Sequence, residues 1–207
     1  LMAVVVVSAS CGEVAIKDVS GDSPVLSDSN SPDSPTSPSS TSVDLIVGPP
    51  DSDWNWQLSG VLDRSVDVAV WDVDLFETPA DVIAELQAEE RYVICYFSAG
   101  SIEDWRSDVG GIEDSAIGLP LDEWPGEHWL DVRADSVLNM VEGRMTLAAE
   151  KGCDAVEPDN VDGFTNETGF SLSEADQIGF NALVAQFAHQ RGLAVGLKKL
   201  LISGGSW

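Results

Sequence analysis

The stretch Cys153-Asp-Ala-Val-Glu-Pro-Asp-Asn-Val-Asp-Gly163 decides how this chain is read. A short apolar run breaks into Glu157, Asp159, Asn160 and Asp162, with Pro158 stiffening the exit. Three carboxylates at a strand terminus repel one another, and folding alone gives no reason to gather them. In α/β sheets and barrels, the carboxyl ends of the strands are where chemistry is placed. A polar loop built from turn residues is the competing reading of the same letters.

Working outward, apolar runs of strand length alternate with helical patterns. Residues 66–71 and 92–97 read as strands, the second apolar enough to be covered on both sides. Between them Thr78-Pro-Ala-Asp81 looks like a helix start with Pro at the first helical position, and Val82, Ile83 and Leu86 follow on one face. Residues 128–132 read as a short strand and 135–151 as a helix stopped by Gly152. After the acidic strand end, Ser173-Glu-Ala-Asp176 caps a helix that runs to Gly192, and residues 193–197 form the next strand. Such alternation predicts an α/β fold with parallel strands, whose right-handed crossovers put the strand ends on one face. Asp72 and Asp74, then Ser98, Gly100, Glu103 and Trp105-Arg106, then Asp131 and Arg133, then Glu157, Asp159 and Asn160, then Lys198 fall at those ends. That recurrence is the layout of a barrel's active face.

Composition narrows the chemistry. The 207 residues hold 36 acidic and 10 basic side chains, a net charge of −26. Phosphate binding relies on Lys and Arg, so nucleic acid is excluded as a partner, and a membrane is reached only through an anchor. A cationic ligand would be attracted. His128 and His189 stand alone and the cysteines show no zinc spacing, so neither a metal nor a cofactor is expected. Cys95 and Cys153 read as small buried hydrophobes rather than as a disulfide framework. No Gly-x-Ser-x-Gly elbow or phosphate-binding glycine loop is present. Carboxylates combined with tryptophans such as Trp105, suited to stacking on sugar rings, point to glycoside hydrolysis.

Three zones follow. Residues 1–11 resemble the end of an export signal, with Cys11 placed as the lipidated residue of a bacterial lipoprotein. Residues 12–50 are Ser-, Pro- and Asp-rich and read as a disordered tether to the cell envelope. Residues 51–207 form the globular domain.

Several motifs sharpen this reading. Trp54-Asn-Trp-Gln-Leu-Ser-Gly60, Trp71-Asp-Val-Asp-Leu-Phe-Glu-Thr78, Val93-Ile-Cys-Tyr-Phe-Ser-Ala-Gly-Ser101, Glu103-Asp-Trp-Arg106, Trp129-Leu-Asp-Val-Arg133, residues 152–163 and Gly196-Leu-Lys198 resemble, in order, glycoside hydrolase family 114. These are the endo-α-1,4-polygalactosaminidases, (β/α)8 TIM-barrel enzymes that are secreted or lipid-anchored. The resemblance implies hydrolysis of a cationic α-1,4-linked galactosamine polymer by a monomer. It implies Asp159 as the first catalytic carboxylate, Asp74, Tyr96, Ser98 and Lys198 as cleft-lining positions, and Glu157, Asn160 and Asp162 as neighbours that tune the carboxyl or bind sugar amines. Family members continue past Gly-Leu-Lys into further strands, one of which supplies a second carboxylate in an Asn-Glu segment, whereas this chain reads Lys198-Lys-Leu-Leu-Ile-Ser-Gly-Gly-Ser-Trp207. The expectation is therefore a C-terminally truncated barrel of about six of the eight strands. A non-catalytic polysaccharide-binding lipoprotein is the alternative.

Overall fold

The computed structural model describes residues 46–197 and a two-residue strand, β1 (Val5–Val6). The parallel strands are β2 (Trp54–Gln57), β3 (Val70–Asp74), β4 (Tyr92–Ser98), β8 (Ala155–Asp159) and β9 (Ala194–Leu197). They lie side by side in chain order, β2-β3-β4-β8-β9, with β1 antiparallel on the outer edge of β9. Helices α1 (Ala80–Ala88), α2 (Asp135–Lys151) and α3 (Glu174–His189) connect β3 to β4, β4 to β8 and β8 to β9.

Strand order and burial together separate a singly wound barrel wall from a doubly wound sheet, in which the order reverses and helices cover both faces. Alternate residues of a strand face opposite sides, and residues in register share a side. Trp71, Val73, Val93, Cys95, Phe97, Val156 and Val195 join one large apolar cluster with Ile83 and Leu86 of α1, Val137, Val141 and Met145 of α2, and Phe180 and Val184 of α3. All three helices therefore pack against one face. The opposite face carries a small apolar patch of Val70, Ile94, Ala155 and Ala194 at the starts of the strands. Beyond it come Asp72, Asp74, Tyr96, Ser98, Glu157 and Asp159 toward their ends. This is a (β/α)8 TIM-barrel-type wall with an apolar base and an acidic mouth.

Local sequence explains most boundaries. Helix α2 stops at Gly152, which adopts a left-handed φ of 84° that other residues resist. Helix α3 opens on a capping box in which Ser173 and Asp176 each bond the other's backbone N–H. At α1 the expected threonine cap is not formed. Pro79 takes the cap position, while the Thr78 N–H donates to the Asp74 carbonyl and its own carbonyl accepts from Lys151 Nζ at 2.7 Å.

Four further expectations are corrected. The strand expected over 66–71 is β3, which starts only at Val70 and runs on through Asp74, so Asp72 and Asp74 stand in the strand rather than after it. Their alternation with Trp71 and Val73 is that of a two-faced strand. Residues 128–132 do not build the barrel wall. Strand β7 (Glu127–Leu130) lies between β5 (Ser101–Glu103) and β6 (Ile117–Pro120) in a separate antiparallel sheet inserted between β4 and α2. Cys95 and Cys153 are buried as expected, but they form a disulfide, with Cα atoms 6.1 Å apart. Residues 46–50, read from sequence as tether, close the base: the Tyr92 hydroxyl donates to the Val47 carbonyl at 2.8 Å, and Pro49 lines a small pocket with Ile94, Ala155 and Ala194.

Candidate active site

The acidic strand end is docked onto the turn that leaves β4. The Asp159 carbonyl accepts from the Ala99 and Gly100 N–H groups at 2.9 and 3.2 Å. A Cβ on Gly100 would collide with the Asn160 carbonyl, so only glycine permits this approach. Asn160 adopts a left-handed φ of 59°, a conformation asparagine tolerates better than most residues. Its side-chain amide donates to the hydroxyls of Ser98 at 2.9 Å and Ser101 at 3.0 Å. The backbone there is over-determined.

This anchoring aims Asp159. One carboxylate oxygen accepts from the Tyr96 hydroxyl at 2.9 Å and the other from the Asn160 N–H at 2.8 Å. Burial, then the neighbouring Asp159 carboxylate, pushes the Tyr96 phenol well above its ordinary value, so it stays a proton donor at any working pH. Glu157, in register with Tyr96 on the same face, is 3% exposed. Burial first, and Asp159 second, raise the Asp162 carboxyl above its ordinary value, while a hydrogen bond from Asn166 opposes them. Four acidic side chains of β3 and β8 thus share one face, and Asp162 adds a fifth beside it.

Asp74 sits at the mouth but is held from behind. It is 2% exposed, and one oxygen accepts from the Phe76 and Glu77 N–H groups at 2.8 Å each. Arg106 then grips Asp74 with two nitrogens, at 2.6 and 3.2 Å, and Glu103 at 3.0 and 3.1 Å. Arg144, buried on α2, donates to the Ser98 carbonyl at 2.6 Å and pairs with Asp108. Both guanidinium groups stack on Phe76, at 4.6 and 5.0 Å from its ring centre. These contacts make Asp74 part of the wall's framework.

The structure thus brings Asp159, Tyr96, Ser98, Asn160, Glu157 and Asp162 together. Trp105 lies beside Gly126, with half its surface exposed. Lys198 and Cys11 lie outside the described residues. Sequence reading missed Ser101 and Glu127: the Ser101 hydroxyl donates to a Glu127 oxygen at 3.0 Å. These residues are 26 positions apart on different strands of the inserted sheet, and no local pattern connects them.

Comparison with known proteins agrees with this geometry. The crystal structure of Aspergillus fumigatus Ega3 in complex with galactosamine is 44% identical, with a TM-score of 0.68 over 70% of this chain and 58% of that one. The glycoside hydrolase domain of PelA from Pseudomonas aeruginosa shares the fold at 15% identity, with a TM-score of 0.53 over 72% of this chain and 59% of that domain. The chain therefore spans less than two thirds of either structure. No curated protein matches it. A match to the family over residues 35–202 takes in both the barrel wall and the docked Asp159 turn, and the chain belongs to the glycoside-hydrolase family GH114.

Proposed function

We propose that this protein hydrolyses an α-1,4-linked galactosamine polymer, with Asp159 as one of the two carboxylates that glycoside hydrolysis requires. The observation that carries this reading is the aim of Asp159, fixed at the barrel mouth by the Tyr96 hydroxyl and the Asn160 N–H. Substrate class rests on the likeness to Ega3, a protein solved with galactosamine, and on charge. Amino sugars are cations at neutral pH, and a chain of net charge −26 with buried acids at its mouth attracts and holds them. Glu157 and Asp162 flank Asp159 as groups that bind sugar amines or tune its protonation, and Trp105 offers a rim surface for stacking.

Release of new reducing ends from α-1,4-galactosaminan tests the proposal, with Asp159→Asn as the control variant. Full hydrolytic rate in that variant would exclude Asp159 as a catalytic group. Retention of the polymer without cleavage by the unaltered chain would favour the non-catalytic, polysaccharide-binding reading.

Export belongs to the same proposal. A disulfide between two buried cysteines suits an oxidising compartment, and residues 1–11 read as a lipoprotein export signal. No helix among the described residues is long and apolar enough to cross a membrane. An acyl modification on Cys11, sought by mass spectrometry of the membrane fraction, tests the anchor.

A further inference from the structure

Glu103 and Glu127 face each other directly across the antiparallel β5–β7 pair. Like charges opposite one another destabilise a sheet unless neighbouring groups compensate them. Each carboxylate has a separate partner. Arg106 takes Glu103 through two nitrogens, and Glu127, 8% exposed, accepts from the Ser101 hydroxyl at 3.0 Å.

Proton counting gives this arrangement a direction. A serine hydroxyl has one proton to give. Ser101 gives its proton to Glu127, so in its contact with Ser98 the donor is Ser98. Both serine oxygens are then left with lone pairs, and because they touch each other they share one N–H of the Asn160 amide in a bifurcated hydrogen bond. If Glu127 were protonated toward Ser101, the chain would reverse and Ser98 would lose its acceptor. The ionised carboxylate is therefore the end point that orders two hydroxyls and one amide. Asn160 in turn carries the N–H that holds Asp159.

We propose that Glu127 is a positioning residue for Asp159, acting through Ser101 and Asn160 rather than by touching substrate. The proposal deepens the hydrolase reading and rests on it for its kinetic consequence. Burial raises the Glu127 carboxyl above its ordinary value. The Ser101 hydrogen bond and Arg106 oppose that rise, and Glu103 and Asp159 add to it. Tyr96 also feels the Glu127 charge. Protonation of Glu127 is the event at which the chain of hydroxyls would lose its order.

Two arms test the relay on the full chain. In the first, the Asn160 side-chain amide signals are followed by nuclear magnetic resonance across pH. The expected result is a shift that tracks Glu127 titration in the unaltered protein, vanishes in Glu127→Gln and falls at least about twofold in Ser101→Ala. An Asn160 response unchanged in Glu127→Gln overturns the proposal. In the second, Glu127→Gln lowers kcat on α-1,4-galactosaminan about tenfold with KM within about twofold, as expected for loss of a hydrogen bond to a charged group. An unchanged kcat also overturns it. An unaltered chain that releases no reducing ends sinks the hydrolase reading instead, and the amide response then decides the relay by itself.

Discussion

Reducing the Cys95–Cys153 disulfide perturbs the helix-covered face of the barrel wall, opposite the acidic mouth, and its effect can be worked out from the fold. The bridge joins β4 to the residue two before β8, across 58 positions of sequence. Closing a loop of that length removes about 14 cal/mol/K from the unfolded chain, or about 4 kcal/mol at 25 °C, in the chain-entropy description. For a domain of this size each kcal/mol moves the melting temperature by about 2–4 °C, so reduction should lower it by roughly 8–16 °C. The native state itself should survive. Strands β4 and β8 stay paired through their ladder, and the two thiols remain in an apolar cluster that accepts them as small hydrophobes. The assay is thermal unfolding with and without reductant, beside a thiol count in denaturant. Reduction should expose two further free thiols, those of Cys95 and Cys153. A Cys95→Ala/Cys153→Ala variant should melt below the oxidised protein and ignore reductant. An equal thiol count before and after reduction, or equal melting temperatures, would refute the bridge's role.

Other outcomes follow from the same contacts. Arg106→Met leaves Asp74 buried without its guanidinium partner and Glu103 with Arg144 alone, at 3.7 Å, and unfolding in denaturant should show a loss of about 3–5 kcal/mol, near the cost of breaking a buried pair. Asp162 titrates in the opposite sense from most folded carboxylates. Its folded value is raised, so the folded protein holds that proton more tightly, and its contribution falls as pH climbs from the ordinary 3.8 through the raised value. Asp162→Asn should therefore gain in melting temperature relative to the unaltered chain between pH 4 and pH 7, and a flat difference over that window would contradict the assigned burial.

The parallel α/β class, two of the three helix starts and the acidic strand end were legible because each is written in neighbouring residues. Gly152 and the Ser173–Asp176 box punctuate helices locally, and Glu157 to Asp162 crowd charge where a strand must end. The inserted sheet was not legible. Residues 128–132 have the letters of a strand, but nothing local says whether a strand pairs parallel with β8 or antiparallel with β5. The Cys95–Cys153 bridge and the Ser101–Glu127 contact escaped for the same reason: each joins positions tens of residues apart, and only the packed fold brings them together. Asp72 and Asp74 were placed after their strand because an acid usually ends an apolar run. On a barrel wall, the inner face carries such acids inside the strand.

Strand β4 shows how closely scaffold and chemistry are interleaved. Val93, Cys95 and Phe97 point into the helix-covered core, whereas Ile94, Tyr96 and Ser98 point to the barrel's inner face. Stability and activity should therefore separate by parity along this strand. Tyr96→Phe keeps the ring and its packing and deletes only the hydroxyl that donates to Asp159 at 2.9 Å. A hydrogen bond to a charged group contributes about 1.5–3 kcal/mol, so hydrolysis should fall at least about tenfold. The melting temperature should move by less than about 3 °C, since no core volume is lost. Reduction at Cys95, one residue away, should do the reverse: a large drop in melting temperature and little change in rate below it. If Tyr96→Phe hydrolyses the polymer within twofold of the unaltered rate, the tyrosine does not hold the carboxylate proposed as catalytic, and the assignment of that role to its hydroxyl fails.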